Sequence, residues 1–375
     1  MIKVAIIGTG FLAETRARGW RRVFGPKVEC VVASRDEAKA SAFAKARALA
    51  GAYAIDEALA DRAVTLVDLC VPNRAHRELC ERAAAAGKHV LCTKPLTAFW
   101  GQGMPADATA QAVAGADRAT MLARVVEDAE SMVAACAKAG VRLYYGENWC
   151  FAPAIMRARA LAAASGGAIV EMRGWESHSG SHSAYAKDWR HTGGGALLRL
   201  GAHPIGAMLW LKRNAARVVS VSAEVREQPG ANEAGPESWG ACTLKFSDGS
   251  VGVAYGSDHM LGGMESHLTV LGPAFRFECA LSPVDMLRAY AARDGAFGGE
   301  YMMEKLDGQA GWSTPMPDED WTSGQQALVQ SVAESLASGA APACDGDLGA
   351  EVARVIYAAY LSASQGRRVI LAGAR

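Results

Sequence analysis

Lys3-Val4-Ala5-Ile6-Ile7-Gly8-Thr9-Gly10-Phe11-Leu12-Ala13 joins a short apolar run to a glycine-punctuated turn and then to a helical pattern reaching about Arg22. An apolar run of that length, closed by such a turn, reads as a buried parallel strand that ends where a helix begins. In Gly8-x-Gly10-x-x-Ala13 each small residue has a physical reason. The first glycine permits the tight turn, the second lets a diphosphate approach the backbone, and the small third residue lets helix and strand pack closely. The phosphates then meet free N–H groups at the helix N-terminus. The expected dinucleotide cradle is Gly8, Thr9, Gly10, Phe11 and Leu12.

Outward from this turn, strands and helices alternate. Val28 to Ala33 is a second strand, and an alanine-rich helix covers Asp36 to Ala50. Val64 to Val71 runs into Pro72-Asn73, a helix reaches Ala86, and His89 to Cys92 is the next strand. That alternation predicts a parallel, doubly wound Rossmann sheet over residues 1–150. Residues 98–118 are rich in Gly, Ala and Asp and break the rhythm, so they read as an inserted loop, either a lid over the cleft or an interface. A helix from Leu122 to Ala139 and a strand from Val141 to Tyr145 complete the first domain.

After residue 150 the pattern changes. Ala168 to Glu176, Val218 to Arg226, Ala241 to Phe246, Val251 to Gly256 and His267 to Leu271 read as short strands, with Ser247-Asp248-Gly249 as a hairpin turn. Gly193 to Trp210 reads as an interrupted helix, and two late helices cover Ser323 to Ser338 and Leu348 to Gln365. Residues 151–375 are therefore expected to form an α+β substrate and oligomerisation domain with a mostly antiparallel open sheet, its last helix packing back on the first domain. The class is α/β overall.

Composition limits the function. The 375 residues carry 39 basic and 39 acidic side chains, so no charge surplus points to nucleic acid or an anionic membrane. Met1 to Ile7 lacks the plan of a secretion signal, and no apolar run is long enough to span a bilayer. Nine cysteines, an odd number without CxxC spacing, fit reduced thiols in a cytoplasmic protein. No metal is assigned.

The end of the second strand bears on the cofactor. An acidic residue there would bind the ribose 2′-hydroxyl of NAD. Here Ser34-Arg35 offers a hydroxyl and a guanidinium, which suit a 2′-phosphate and favour NADP(H). Asp36 would serve NAD(H) if the turn slips by one residue.

Several stretches together resemble the Gfo/Idh/MocA oxidoreductases, the glucose-fructose oxidoreductase and inositol dehydrogenase group. They are Cys70-Val71-Pro72-Asn73-Arg74-Ala75-His76, Ala85 to Leu96 with Thr93-Lys94-Pro95, Gly146-Glu147-Asn148-Trp149 with Ala152-Pro153-Ala154, Gly193 to His203, and Ala358 to Arg367. The resemblance spans nearly the whole chain. It implies hydride transfer between nicotinamide and a hydroxyl or carbonyl carbon of a sugar, cyclitol or related polyol, and a homo-oligomer. It adds Pro72, Asn73, His76, Thr93 and Lys94 to the expected cofactor contacts. Two positions depart from the family pattern: Thr93 replaces a Glu, and Arg199 stands where an Asp is usual.

Lys94 and His203 are the expected catalytic pair. A lysine at the carboxyl end of a parallel strand sits where α/β ligands bind, and its N–H groups would steady a developing alkoxide. His203 would take and return the proton. Pro204 is expected to kink the helix and present the imidazole at the break. Arg199, four residues earlier, is expected on the same helical face, either clamping an acidic substrate or turned toward a structural carboxylate. His178 and His182 lie in a polar segment that suits sugar hydroxyls, a metal or an ordinary loop. Trp149 and Trp189 are candidate stacking surfaces for a sugar ring, with core packing as the alternative. The triple glycine 193–195 is expected to let the chain approach cofactor or substrate closely. Two other readings stand beside the dehydrogenase: a redox-neutral glycosidase that keeps NAD bound, and a non-catalytic ligand-binding homologue.

Overall fold

A computed structural model of the chain describes residues 1–181, 184–226, 235–282, 287–298, 300, 302, 308 and 310–371. The first half runs β1 (Ile2–Ile7), α1 (Phe11–Arg21), β2 (Val28–Ser34), α2 (Glu37–Arg47), β3 (Gly51–Ala54), α3 (Ile55–Ala60), β4 (Val64–Leu69), α4 (His76–Ala85), β5 (His89–Thr93), α5 (Ala110–Ala114), α6 (Arg118–Lys138) and β6 (Leu143–Gly146). Its six strands form one parallel sheet in the order β3-β2-β1-β4-β5-β6. The order reverses beside β1, so the carboxyl ends of β1 and β4 open on a topological switch point, where ligands of open α/β sheets bind. β1, β4 and β5 are apolar nearly throughout because helices cover both faces.

The second half runs α7 (Pro153–Ser165), β7 (Glu171–Ser177), α8 (Trp189–Thr192), α9 (Ala196–Arg199), α10 (Ala202–Lys212), β8 (Val218–Arg226), β9 (Trp239–Phe246), β10 (Val251–Ser257), β11 (Glu265–Gly272), β12 (Phe275–Ala280), β13 (Ala289–Ala291), β14 (Gly311–Ser313), α11 (Glu319–Thr322), α12 (Gln325–Ser338), α13 (Gly346–Gln365) and β15 (Val369–Ile370). Seven of these strands form a sheet in the order β12-β11-β7-β10-β9-β8-β15. All neighbours in it are antiparallel except β7 and β10. Gly174 on β7 lies directly beneath α10: a Cβ there would fall 2.7 Å from Pro204.

The chain's last helices return to its first half. α13 packs along α6, and α12 along α1. Gln326 donates to the Gly19 carbonyl at 3.3 Å, and Arg18 pairs with Asp320 at 3.0 Å.

Three expectations change. Residues 51–60 contain an edge strand and a short helix, β3 and α3, where no element was expected; four half-buried residues carry too little apolar signal. Residues 98–118 are not a featureless loop. Ala98 and Phe99 are buried, Gln102 donates to Asp128 at 2.9 Å, and α5 packs on α8. Pro204 does not kink a continuous helix. The chain breaks at Leu200-Gly201, and Pro204 sits in the first turn of α10, where its missing N–H leaves no helical bond unmade.

Beneath the strand ends lies a buried ion pair that the hydrophobic pattern does not reveal. Arg16 of α1 and Asp68 of β4 are both almost fully buried, 3.7 Å apart. Asp68 also accepts from the Trp20 indole at 2.8 Å, and Arg16 donates to Gln325 at 2.9 Å. Burial pushes the Asp68 carboxyl up, and the guanidinium only partly offsets this. Asp68→Asn keeps the shape but strands a buried guanidinium. It should destabilise the fold by about 3 kcal/mol, read as a lower midpoint in urea unfolding; an unchanged midpoint would mean that the pair contributes nothing.

Candidate active site

The turn after β1 is forced by sterics. Gly8 has φ +125, and a Cβ there would fall 2.3 Å from the Cys70 carbonyl oxygen. Its N–H donates to Ala33 at 2.9 Å, which seats the turn between β2 and β4. Gly10 precedes α1, has nothing within 4 Å of a would-be Cβ, and offers no side-chain bond to the first-turn N–H groups. Ala13 is fully buried and Phe11 is exposed. An uncapped helix start with open space before it fits a diphosphate. Thr9 and Leu12 flank it, half-buried.

At the end of β2, Asp36 is engaged locally. It caps α2 by accepting from the Lys39 N–H at 3.0 Å, which holds its carboxyl below the usual range. The Ser34 hydroxyl accepts from the Asp36 N–H at 3.2 Å. Arg35 between them is exposed.

The end of β4 is committed to holding other segments. Asn73, next to exposed Pro72, donates to the Thr192 carbonyl at 2.7 Å and so ties this corner to α8. His76 is fully buried. Its Nδ1 lies 3.1 Å from both the Pro95 and Leu96 carbonyls, and its Nε2 lies 2.9 Å from the Val71 carbonyl. His76 thus faces carbonyls on both sides, and the one N–H of its neutral ring ties it either to the chain that follows Lys94 or to Val71, so its ring backs the expected cofactor corner from within the fold. Thr93 is buried, and the Lys94–Pro95 bond is cis.

Half-buried Lys94 reaches out of the first sheet and donates to the Arg199 carbonyl, at the end of α9. Two residues of turn follow, and then His203 in the first turn of α10. Arg199 and His203 thus belong to different helices, which corrects the expected shared face. The Arg199 guanidinium forms an ion pair with Asp258, just past β10.

His203 is enclosed by two carboxylates. Its Nδ1 lies 2.6 Å from Glu147 Oε1, and its Nε2 lies 3.6 Å from Glu176 Oε2. Glu147 follows β6 of the first sheet; Glu176 belongs to β7 of the second. Trp149 stacks on the imidazole, with centroids 5.8 Å apart and planes 17° apart. Trp149 and Trp189, for which sugar stacking and core packing were the two expectations, are both buried, as packing residues are. Trp149 backs His203, and Trp189 lies between the Arg118 guanidinium and Tyr360. His178 is buried and accepts from the Gly180 N–H at 3.1 Å. His182 lies outside the described residues. Among the described residues no group of three or more His, Cys, Asp or Glu could hold a metal ion.

The triple glycine approaches the protein itself. Would-be Cβ atoms at Gly193, Gly194 and Gly195 fall 2.4 Å from Ala98, 2.3 Å from the Tyr360 hydroxyl and 1.8 Å from the Glu237 carbonyl. Glu237, which sequence reasoning missed, is fully buried. It accepts from the Gly195 N–H at 2.7 Å, the Leu197 N–H at 3.0 Å and the Tyr360 hydroxyl at 2.8 Å. Burial pushes its carboxyl up against the pull of these donors. The sequence carries no local signal for Glu237 or Asp258, nor for the pairing of Glu147 with His203, because these partners lie 40 or more residues apart along the chain.

A nucleotide-ready turn on a six-stranded parallel sheet, facing a second mixed sheet, defines a two-part dinucleotide-binding protein. The chain belongs to the Gfo/Idh/MocA oxidoreductase family: its NAD-binding Rossmann model matches residues 2–116 and its C-terminal domain model residues 156–277. Among curated relatives, D-xylose 1-dehydrogenase (NADP(+)) 2 of Haloferax volcanii is 31% identical over 200 residues, 52% of this chain and 53% of that protein. D-apiose dehydrogenase of Paraburkholderia graminis is 29% identical over 160 residues, 41% of this chain and 34% of that protein. The chain thus spans about a third to a half of the length of these relatives. The NAD complex of GenD2 from gentamicin A biosynthesis superposes with a TM-score of 0.82 at 26% identity, covering 99% of this chain and 96% of that one. No helix among the described residues is long and apolar enough to cross a membrane.

His76→Leu removes the ring nitrogens from three buried carbonyls while keeping bulk. It should cost about 2 kcal/mol of stability, measured by urea unfolding; a cost under ~0.5 kcal/mol would show that the ring holds nothing in place.

Proposed function

We propose that this protein is an NADP(H)-dependent dehydrogenase or reductase acting on a hydroxyl or carbonyl carbon of a neutral sugar or related polyol. The observation that carries this reading is the bond from Lys94 to the Arg199 carbonyl. It brings the amine after β5 to the turn that starts α10, whose first turn bears His203. An amine carried by the first sheet is thereby tied to the segment that leads into His203, which supports a joint role for the two groups. The nicotinamide, when bound, accepts or supplies the hydride. Gly8, Thr9, Gly10 and the first turn of α1 would hold its diphosphate. The Lys94 amine donates to the substrate oxygen, and the imidazole of His203 takes the hydroxyl proton and returns it in the reverse direction.

For NADP(H), the support is that Arg35 is exposed at the end of β2 while Asp36 is occupied capping α2. A 2′-phosphate meeting Ser34 and Arg35 finds a hydroxyl and a planar cation suited to its geometry. NAD(H) remains usable by the same turn. For a neutral substrate, the support is the Arg199–Asp258 pair, which cancels the cation an acidic sugar would need.

Purified protein with a panel of aldoses, cyclitols and the matching sugar acids, offered with NAD+ and NADP+, should reduce NADP+ with a neutral sugar. No reduction of either nucleotide across the panel would refute the reading. Arg35→Ala should raise KM for NADP+ about tenfold or more and leave that for NAD+ within about twofold. Arg199→Ala should change turnover of neutral and acidic sugars alike; a loss confined to the acids would instead make Arg199 their clamp.

A further inference from the structure

The most completely buried group beside His203 is Glu147, and its role is readable from its neighbours. Its Oε1 accepts the Trp149 N–H at 3.0 Å and meets His203 Nδ1 at 2.6 Å. Its Oε2 is buried and has no hydrogen-bond partner among the described residues. A carboxylate has no proton to give, so against Glu147 in that form the imidazole is the donor, through Nδ1. The neutral ring then carries its lone pair on Nε2, the nitrogen facing Glu176 at 3.6 Å. Trp149 is stacked on the face of the ring.

The fold makes room for this contact at one position. Gly206 lies one turn beyond His203 on α10, and a Cβ there would fall 2.9 Å from Glu147 Cγ. The absence of a side chain at 206 lets the carboxylate enter under the helix and reach the ring. A surface carboxylate would serve a salt bridge as well. One placed at zero exposure, in a gap left by a glycine and facing a ring nitrogen, is arranged for direction.

We infer that Glu147 is the positioning residue of this site: it holds His203 in the Nδ1–H tautomer, so that Nε2 is the nitrogen that takes the substrate proton. The inference rests on the dehydrogenase reading for its catalytic meaning. During oxidation the O–H bond of the substrate breaks and its proton bonds to Nε2. The two electrons of the adjacent C–H bond leave with the hydride to the nicotinamide, and the Nδ1–H bond to Glu147 stays intact throughout. Glu147 gains and loses no proton.

The test is nitrogen NMR of the full chain labelled with 15N-histidine, at a pH where imidazole is neutral. His203 is assigned by the signal that disappears in His203→Asn. The wild type should show a protonated Nδ1 and a bare Nε2. Glu147→Gln, whose amide can offer N–H groups to Nδ1, should populate the opposite tautomer. Gly206→Ala, which displaces Glu147 without deleting it, should shift the same signals. In turnover, Glu147→Gln should lower kcat about a hundredfold or more with KM within about threefold, and Glu147→Asp should recover part of the loss. A bare Nδ1 in the wild type, a His203 signal unmoved in Glu147→Gln, or a loss confined to KM would overturn the inference. If the wild type reduces no nucleotide with any sugar, the dehydrogenase reading fails, and the NMR result alone decides whether Glu147 sets the tautomer. Unfolding midpoints of the variants separate either outcome from simple misfolding.

Discussion

The site depends on a seam where side chains of one half of the molecule end on the backbone of the other. Lys94 ends on the Arg199 carbonyl, Asn73 on the Thr192 carbonyl and Asn148 on the Ser323 carbonyl. The Tyr357 hydroxyl donates to the Gly193 carbonyl and accepts from the Phe99 N–H, both at 2.6 Å. A carbonyl cannot choose another rotamer, so each bond fixes the position of main chain rather than of a second flexible side chain. Each contributes only about 1 kcal/mol net, yet leaving a buried partner unsatisfied costs more than the bond gains. The seam therefore closes in one register or leaves several buried groups without partners. That register sets where Lys94 lies relative to the start of α10.

Glycines admit this register at close quarters. At residues 193–195 the backbone passes so near Ala98, Tyr360 and Glu237 that no side chain fits at any of the three positions. This is why α8 and α9 can be short: one four-residue helix ends at Gly193 and another starts after Gly195, with the buried Glu237 carboxylate accepting from its first N–H groups. A carboxylate at a helix N-terminus is favoured by the unpaired N–H groups it meets. The far end of the same helix is the carbonyl that takes Lys94. Glu237, which touches nothing in the site, thus anchors one end of a four-residue strut whose other end does.

The parts of this arrangement legible in the sequence are those set by neighbours along the chain. Gly8-x-Gly10-x-x-Ala13 could be read because the turn, the strand before it and the helix after it are contiguous. The alternation of the first sheet could be read because parallel strands buried on both faces are continuous apolar runs. β8 falls on the residues the pattern marks. The failures are equally physical. His76 and Asn73 lie in a motif next to the nucleotide turn, and nothing local says that their polar atoms would be spent on carbonyls of residues 95, 96 and 192. A spacing of four places Arg199 over His203 only if a helix runs unbroken, and Gly201 ends that continuity. Trp149 and Trp189 offer the same ring whether it meets a sugar or the core; burial decides, and burial is a property of the fold.

The charges around the seam sort by whether a protein partner cancels them. Arg199 is answered by Asp258 and Arg16 by Asp68. Glu237 is answered by neutral donors, as is the accepting side of Glu147 at the Trp149 N–H. What distinguishes His203 is that both its nitrogens face carboxylates while its ring is held by stacking, at the point where the two halves meet. The two contacts differ in kind: 2.6 Å is a hydrogen bond, and 3.6 Å exceeds the reach of one. The nearer carboxylate is therefore bonded to the ring, while the farther one faces a nitrogen that its own hydrogen bond does not occupy. That asymmetry gives the imidazole a direction. A symmetric pair of short contacts would have made it a structural cross-link between β7 and the chain after β6.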